Sequence, residues 1–324
     1  MSSLNTLKAS IKLKWTSRNP KSFNEKIQYK SAHDRREMLT IFADKIQVRN
    51  YVANTIGAEY LPKIYSINYD LDSTDWKRIP GEFVFKVNHG SNGVIVVSKD
   101  ANIENKLPTN LEGEGWSFYK IHPESLDLDD LLRLGKHWLT LDYTWYEGCG
   151  RMPEWAYKNI RRGSLFEELL VDENGGTPPD YKFYMLNGQC QYLALIHREF
   201  AEKSGEERKT TYTFMNSKWE KIDLMSDGFK PLEKIPKRPL YFEKMLSIAG
   251  QLSSGIDFVR VDLYDIDNRI LVGELTNYPG AGLIQFEPKS FDLELGKKLI
   301  LDNYKTFRVA NLTRQILRIF RVHS

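Results

Sequence analysis

Cysteine is scarce in this chain of 324 residues, which contains only Cys149 and Cys190. The two cysteines lie far apart in the sequence, and neither belongs to a CxxC pair. This excludes the paired spacing of zinc clusters and the dense disulfide frameworks of small secreted proteins. We expect both side chains to be reduced, partly buried thiols of a cytoplasmic protein.

Long apolar segments are also missing from the sequence. No stretch approaches the roughly 18 consecutive apolar residues that are needed to span a bilayer. The N-terminal residues carry scattered lysines and no uninterrupted apolar run, which argues against a secretory signal. We therefore expect the protein to be cytoplasmic.

Neither sign of charge dominates the chain. Lysine and arginine number 46 against 43 aspartates and glutamates, which gives a net charge of +3. A charged fraction of 27% and a hydrophobic fraction of 41% are ordinary for a soluble globular protein, so a disordered or fibrous chain is excluded. Because the net positive charge is small for a chain of this length, we expect no nucleic-acid partner. The length is sufficient for two or three domains.

Several common catalytic and nucleotide-binding motifs are absent. The sequence contains neither GxxxxGK[ST] nor GxGxxG, so it has no Walker-type or Rossmann-type phosphate loop. It also lacks HExxH and a serine nucleophile elbow. No internal repeat or low-complexity tract was found.

The sequence does contain alternating helical and β-rich segments. Helical spacing of apolar residues predicts helices over 34–56, after Asp127 and over 239–253. Residues 99–126 are polar and broken by Pro and Gly, which is typical of a long connection. The predicted strands cover residues 82–87, 94–98, 164–171, 180–186, 191–197, 210–215, 258–266 and 269–277. Together they predict an α+β fold with largely antiparallel sheets.

Lys86 near the end of an apolar strand is the first candidate for chemistry. It is followed by the short loop His89-Gly90-Ser91-Asn92-Gly93. A lysine in a strand is costly to bury unless it meets an anion, and glycines let backbone N–H groups approach phosphate oxygens. The alternative is a plain hairpin turn with a lysine at the edge of the sheet.

Asp262 and Glu274 on two consecutive predicted strands form the second candidate. Strand alternation puts Arg260 and Asp262 on one face, and the turn at Asp267-Asn268 brings Glu274 back toward them. Two carboxylates on paired strands repel one another unless a cation lies between them, and Mg²⁺ with ATP phosphates takes such ligands. The alternative is a solvated sheet face with an ordinary Arg–Asp ion pair.

Other charged residues are weaker candidates. Glu167 and Glu168 interrupt an apolar run and, without further context, mark the exposed face of a strand. Lys182 is a second lysine on a predicted strand. Arg198 and Arg208 flank the hairpin that follows, where they are placed to meet an anionic substrate.

The order of these features resembles the ATP-grasp superfamily, and more closely its teichuronopeptide-biosynthesis (TupA-like) branch. The likeness covers about residues 19 to 295. The matching segments are NPKSFNEKIQY (19–29), ADKIQVRNYV (43–52), EYLPKIY (59–65), FVFKVNHGSNG (83–93), EWAYKNI (154–160), FEELL (166–170), DYKFYMLNG (180–188), DFVRVDLY (257–264) and GELTNYPGAG (273–282).

The resemblance implies a role for each candidate on the nucleotide side. It implies that Lys86 and the loop formed by His89, Gly90, Ser91, Asn92 and Gly93 hold the ATP phosphates. Glu167, Glu168 and Leu169 would form the hinge that contacts adenine, and Asp172 or Glu173 would meet the ribose.

The same resemblance implies the metal site and the reacting centre. Asp262, Glu274 and Thr276 are the implied ligands of Mg²⁺, with Mn²⁺ as an alternative metal. Lys182 and Arg260 are the implied catalytic residues. The acceptor substrate would lie near Arg198, Arg208, Asn277 and the loop that contains Gly280 and Gly282.

One departure from the superfamily pattern concerns the metal ligands. Many ATP-grasp enzymes carry Glu-x-Asn, whereas Thr276 occupies the third position here and Asn277 follows it. Because neighbouring strand residues point to opposite faces, we expect Asn277 not to replace the missing amide unless the strand bulges.

The implied reaction is ATP-dependent formation of an amide (C–N) bond between a carboxylate and an amine through an acyl phosphate. The TupA-like branch implies a uronic acid or glycan of a bacterial surface polymer as acceptor and an amino acid as amine donor. Two alternatives stay open: a phosphotransferase that acts on a sugar or small molecule, and an inactive nucleotide-binding member of a polysaccharide assembly complex.

The predicted domains follow from the same comparison. A mainly helical segment covers residues 1–78, ATP-grasp subdomain A covers 79–163, subdomain B covers 164–299, and a basic C-terminal helix covers 300–324. Residues 303–324 contain five lysines or arginines and no acid. Such a helix either packs on the protein or contacts anionic lipid at the inner face of the cell membrane.

Overall fold

The computed structural model describes residues 19–143, 154–172, 176–199, 209–302 and 304. Arg208, Glu173 and Cys149 lie outside the described residues, as does the predicted C-terminal helix over 300–324 except for residues 300–302 and 304. No helix within the described part is long and apolar enough to cross a membrane.

The described residues form six helices and twelve strands. The helices are α1 (Phe23–His33), α2 (Glu37–Ala43), α3 (Gln47–Thr55), α4 (Leu128–Thr140), α5 (Phe242–Leu252) and α6 (Ser290–Lys298). The strands are β1 (Ile64–Asn68), β2 (Phe83–Val87), β3 (Val94–Val97), β4 (Phe118–Ile121), β5 (Ser164–Glu167), β6 (Asp180–Leu186), β7 (Gln189–Glu199), β8 (Lys209–Met215), β9 (Met225–Ser226), β10 (Phe258–Ile266), β11 (Arg269–Thr276) and β12 (Phe286–Glu287).

The N-terminal region is helical, but the predicted helix over 34–56 is two helices. The chain turns between α2 and α3 at Asp44, whose buried carboxylate accepts the backbone N–H groups of Ile46 at 2.9 Å and Gln47 at 3.3 Å. An aspartate that accepts the first N–H groups of a helix favours a helix start there, so one periodic stretch divides. The prediction of a single helix is wrong in this respect.

The first sheet has the strand order β1-β5-β2-β3-β4, and helix α4 packs against one of its faces. The core on that side includes Phe85 and Trp138, whose rings stack with their centroids 6.4 Å apart. Strand β4 pairs parallel to β3 and lies within residues 99–126, which were predicted to be a connection only. At four residues, β4 is too short to give a clear alternating pattern.

The second sheet has the order β11-β10-β6-β7-β8, and all its pairs are antiparallel. Helix α5 covers one face, and the other face is turned toward the first sheet at the cavity described below. Mixed helices and largely antiparallel sheets confirm the predicted α+β class, and the predicted strands over 180–186 and 258–266 agree with the structure residue for residue.

The pairing of strand β5 bears on the domain boundaries. β5 pairs with β1 and β2 of the first sheet, although the predicted boundary at 163/164 assigns it to the second subdomain. By strand pairing, the change of sheet falls between Glu167 and Asp180. The assignment of whole domains stays a proposal.

The β6–β7 hairpin turns at Asn187 and Gly188, which have φ angles of 49° and 79°. The predicted Asn-Gly hairpin is therefore confirmed, because both residues are left-handed, as a type I′ turn requires.

We expect Gly188→Ala to destabilise the fold by about 1–2 kcal/mol, since alanine is strained at this φ. Gly250 in α5 is the matched control: it has no heavy atom closer than 4.0 Å to an added Cβ, so Gly250→Ala should be neutral or stabilise by up to about 1 kcal/mol. Urea unfolding of the two variants checks the opposite signs.

Candidate active site

A cavity of about 390 Å³ lies between the two sheets. Its walls come from β2, β3 and β5 on one side, from β6, β10 and β11 on the other, and from the turn between α2 and α3. The charged residues on its walls are Lys45, Arg49, Lys86, Asp100, Lys120, Glu167, Glu168, Asp180, Lys182, Arg198, Asp262 and Glu274. Cations and carboxylates are therefore both concentrated in one recess.

The predicted carboxylate pair meets in this cavity. Asp262 on β10 lies directly opposite Glu274 on β11, and the register shifts immediately after Asp262. Arg260 bridges the pair: its Nε lies 2.6 Å from Asp262 Oδ1, and its Nη2 lies 2.7 Å from Asp262 Oδ2 and 3.1 Å from Glu274 Oε2. Burial alone would raise the pKa of Asp262, but Arg260 and Lys182 hold that pKa below its ordinary value. Asp262 is therefore a buried, ionised carboxylate.

Lys182 continues this chain of alternating charges. Its ammonium contacts Asp262 and lies 2.7 Å from Asp180 Oδ2. Arg198 Nη1 lies 3.3 Å from the same oxygen of Asp180. The structure thus brings Lys182 and Arg198 together through Asp180, a residue to which the sequence interpretation gave no role.

Lys86 and the implied hinge residues lie on the opposite wall. Lys86 forms an ion pair with Glu167, and Arg49 Nη1 lies 3.8 Å from Glu167 Oε2. Glu168 instead accepts 2.8 Å from Arg269 Nη2 and 3.0 Å from the Lys63 backbone N–H. Burial opposes ionisation of Glu168, but Arg269 and the Lys63 N–H lower its pKa. Leu169 also lines the cavity, so all three residues of the implied hinge border it.

The glycine-containing loop turns only part of its surface toward the cavity. Ser91 and Asn92 are exposed and line the recess. Gly90 and Gly93 have positive φ and lie against the Trp116 ring, so a Cβ at either position would come within 3.1 Å of that ring. These two glycines are needed for close packing and for the turn.

His89 in the same loop is buried away from the cavity. Its Nε2 lies 3.2 Å from the Leu141 carbonyl oxygen, and its ring meets Trp116 edge to face. Burial lowers the pKa of His89 to about 4, so the ring is neutral at pH 7. In this structure the His89 side chain is not placed to contact phosphate.

Thr276 and Asn277, which follow Glu274 in the sequence, have side chains in different surroundings. Thr276 Oγ1 is buried and has no hydrogen-bond partner among the described residues, and Thr276 pairs with Arg260 on the same face as Glu274. Asn277 is buried and donates 2.8 Å to the Leu39 carbonyl, away from the carboxylates, in agreement with strand alternation.

The remaining predicted site residues lie off the walls of the cavity. The Gly282 carbonyl accepts 2.7 Å from Gln28 of α1, so the loop that contains Gly280 packs on that helix. Asp172 Oδ1 accepts 2.8 Å from the Gly176 N–H. Contact of Gly280 and Gly282 with the acceptor stays a prediction, and so does contact of Asp172 with the ribose.

The carboxylates present fit a magnesium ion that is shared with phosphates. No group of three or more His, Cys, Asp or Glu suitable for a metal occurs in the described ranges. Mg²⁺ in nucleotide sites commonly uses only one or two protein carboxylates, together with phosphate oxygens and waters. Asp262 and Glu274 supply two, and the unsatisfied Thr276 hydroxyl is an oxygen donor on the same face.

Lys45 and Arg49 are cavity residues to which the sequence interpretation assigned no role. Lys45 lies in the turn between α2 and α3, and its Nζ donates to the Gly90 carbonyl at 2.5 Å. Burial lowers the pKa of Lys45, and nearby Glu274 opposes this shift. Both residues lie in the segment ADKIQVRNYV, which was quoted for the resemblance, but helical periodicity alone does not reveal a role in a distant site.

The family model described as TupA-like ATPgrasp matches residues 25–300. No curated protein matches the chain.

Several solved structures are similar to the chain. An ATP-grasp ligase PsnB complexed with minimal precursor is 12% identical over 74% of this chain and 53% of that one, with a TM-score of 0.37. The D-alanine–D-alanine ligase of Bacillus anthracis complexed with ATP is 14% identical over 74% and 58%, with a TM-score of 0.37. The enzyme of the same name from Helicobacter pylori is 16% identical over 83% and 64%, with a TM-score of 0.39. This chain therefore spans less than two thirds of the length of each.

Proposed function

This chain belongs to the TupA-like ATP-grasp family, and we propose that it is an ATP-dependent ligase that joins a carboxylate to an amine. The observation that carries the proposal is the arrangement of the cavity. Cations from the first sheet and the N-terminal turn face two carboxylates on the second sheet, Asp262 and Glu274, which Arg260 bridges.

The nucleotide would lie across the cavity, with its base toward the hinge segment Glu167–Leu169. Lys86 and Lys45 face the recess and would neutralise phosphate charge, while Ser91 and Asn92 offer polar groups at its rim. Lys86 is paired with Glu167 in this structure, so a phosphate would compete with that carboxylate for the ammonium.

Asp262 and Glu274, with the hydroxyl of Thr276, would hold Mg²⁺. A bound Mg²⁺ supplies charge neutralisation between phosphate oxygens and orients them. Arg260 and Lys182 already pair with Asp262, so these two cations would stabilise the negative charge that develops during transfer.

The proposed reaction has two steps. The oxygen of a substrate carboxylate attacks the γ-phosphorus of ATP, the bond between that phosphorus and the bridging oxygen breaks, and ADP leaves. An amine then attacks the acyl phosphate carbon, and inorganic phosphate leaves as the amine loses a proton. Residues of this chain would act by positioning and charge stabilisation, because phosphoryl transfer needs little other help from the protein.

For the acceptor we propose a uronic acid, free or within a bacterial surface polysaccharide precursor, and for the amine an amino acid or peptide. The resemblance of the sequence to the teichuronopeptide-biosynthesis branch motivates this substrate class, and Arg198 on the cavity wall would offer a cation for an anionic group. We propose that the reaction takes place in the cytoplasm, where ATP is available.

Release of ADP and phosphate with paired substrates tests the proposed function. Uronic acids and amino acids should be supplied singly and in pairs with Mg-ATP, and products should be identified by mass spectrometry. A ligase releases ADP only when both substrates are present and gains an amide of the summed mass less water. ADP release with a sugar alone would show a phosphotransferase instead, and absence of ATP binding would contradict the proposal.

Lys86→Met is expected to weaken ATP binding while the protein remains folded. Loss of one charge-assisted contact of about 1.5–3 kcal/mol corresponds to a rise in KM for ATP of roughly 10- to 100-fold. Steady-state kinetics at varied ATP concentration measures this change. Lys99→Met is the matched control, because Lys99 follows strand β3 of the same sheet and is exposed. An unchanged KM in Lys86→Met would remove Lys86 from the ATP site.

A further inference from the structure

The glycine-containing loop is joined to the N-terminal helices through one fully buried side chain, Asn88. Its Nδ2 donates 2.8 Å to Asp44 Oδ1 and 2.9 Å to the Arg161 carbonyl, and its Oδ1 accepts 2.8 Å from the Gly163 N–H. Asn88 is 0% exposed. A single amide therefore joins the base of the loop to the α2–α3 turn and to the start of β5.

Backbone hydrogen bonds extend this connection on both sides of Asn88. The Asn88 N–H donates 2.9 Å to the Gly163 carbonyl, and the Asn88 carbonyl accepts 3.0 Å from the Lys45 N–H. The Lys45 ammonium then donates to the Gly90 carbonyl two residues farther along the loop. Lys45 is thus fixed to the loop at its backbone and at the end of its side chain.

Asp44 holds the other end of the connection. The oxygen that accepts from Asn88 also accepts from the N–H groups of Ile46 and Gln47, which begin the turn into α3. Asp44 is only 2% exposed. Its carboxylate therefore fixes Asn88 and the backbone on the C-terminal side of Lys45 in one hydrogen-bonded unit.

We propose that Asn88 and Asp44 are positioning residues for polyphosphate binding, which act through Lys45 and the loop residues Ser91 and Asn92. This rests on the proposed function, because it gives Lys45 and the loop a nucleotide phosphate as ligand. Lys45, Ser91 and Asn92 line the cavity, whereas Asn88 and Asp44 lie behind them. Loss of the amide–carboxylate hydrogen bond frees the α2–α3 turn to shift against the loop, which misplaces the Lys45 ammonium.

The test is direct titration of the full chain with Mg-ATP, combined with thermal unfolding. We expect Asp44→Ala and Asn88→Ala each to raise the Kd for ATP by about tenfold at a temperature where the variants are folded. Because the two side chains act as one unit, the double variant should raise Kd no further than the weaker-binding single variant. Asp44→Asn keeps the accepting oxygen and should bind ATP within about twofold of wild type.

Asp127→Ala is the matched control for Asp44→Ala. Asp127 also accepts two backbone N–H groups at a helix start, those of Asp129 and Asp130, but it does not line the cavity. Both substitutions remove helix-start contacts and should lower the unfolding temperature, and only Asp44→Ala should change Kd. If Asn88→Ala does not fold, the comparison of Asp44→Ala with Asp44→Asn still decides the matter.

Two outcomes would overturn the positioning role. Variants that lower the unfolding temperature but bind ATP like wild type would show that the pair is only structural. Additive effects on Kd would show that Asp44 and Asn88 act separately. A wild-type protein that does not bind Mg-ATP would instead overturn the proposed function itself, so the two failures are distinguishable.

Discussion

Asp262→Asn is expected to lower kcat by roughly a hundredfold or more, while ATP binding is retained in part. The substitution keeps the shape of the side chain but removes the charge between Arg260 and Lys182, both of which contact Asp262. The variant loses a proposed metal ligand and leaves two nearby cations without their shared counter-charge. Lys86 on the first sheet and Lys45 in the α2–α3 turn are unchanged, which is why nucleotide binding should partly survive.

Asp265→Asn is the control for this prediction. Asp265 lies on the same strand but does not line the cavity. Single-turnover measurement of ADP formation with both variants separates a loss in chemistry from a loss in binding. Wild-type turnover in Asp262→Asn would mean that the carboxylate pair is not the reacting centre. Arg260→Ala should behave like Asp262→Asn, since Arg260 contacts both carboxylates.

The strands that carry this site could be predicted from sequence because each combines several local signals. In β10, valines alternate with Arg260 and Asp262, and the Asp267-Asn268 turn returns the chain toward Glu274. Alternation and a short turn together determine which side chains share a face and which strand follows. The position of Asp262 opposite Glu274 on the neighbouring strand could therefore be predicted from the sequence.

Contacts between segments that are distant in sequence could not be predicted from the sequence. Lys45 reaches the cavity only because the α2–α3 turn packs on the loop after β2, and nothing near Lys45 in the sequence specifies that neighbour. His89 is buried at a position where the local sequence suggests exposure to solvent. Its position in a polar, glycine-containing loop suggests exposure, but Trp116, which is distant in sequence, covers it. Local patterns determine faces, whereas packing partners depend on the whole fold.

A second consequence of long-range packing is a buried ionic cluster that no sequence pattern indicated. Lys30 and Asp34 of the α1 end meet Asp257, which immediately precedes β10. Arg36 bridges Asp34, Asp257 and Asp302, and the Tyr304 hydroxyl donates to Asp257. The cluster joins the first helix, the start of strand β10 and the last described residues of the chain.

Lys30→Met is expected to lower the free energy of unfolding by about 3–5 kcal/mol, the largest effect on stability that we predict. The Lys30 ammonium is completely buried and lies 2.8 Å from Asp34 and 2.5 Å from Asp257. Its removal therefore takes away positive charge that stabilises two buried carboxylates. Chemical denaturation measures the change. Lys136→Met is the matched control, because Lys136 pairs with Asp72 at an exposed site, where such a pair is worth about 0–1 kcal/mol. Equal losses in the two variants would contradict a special role for the buried cluster.

The same cluster gives the stability of the protein a dependence on acidic pH. Burial alone would raise the pKa of Asp257, but Lys30, Tyr304 and Arg36 lower it from 3.8 to about 2. A carboxyl whose pKa is lower in the folded state contributes stability that is fully present above its unfolded pKa and is lost as pH falls toward the folded value. Wild-type stability should therefore decline between about pH 4 and pH 2 through this group, and Asp257→Asn should lack that component. Because Asp257 leads directly into the strand that carries Arg260 and Asp262, its protonation should loosen the anchoring of the proposed reacting centre as well as the fold.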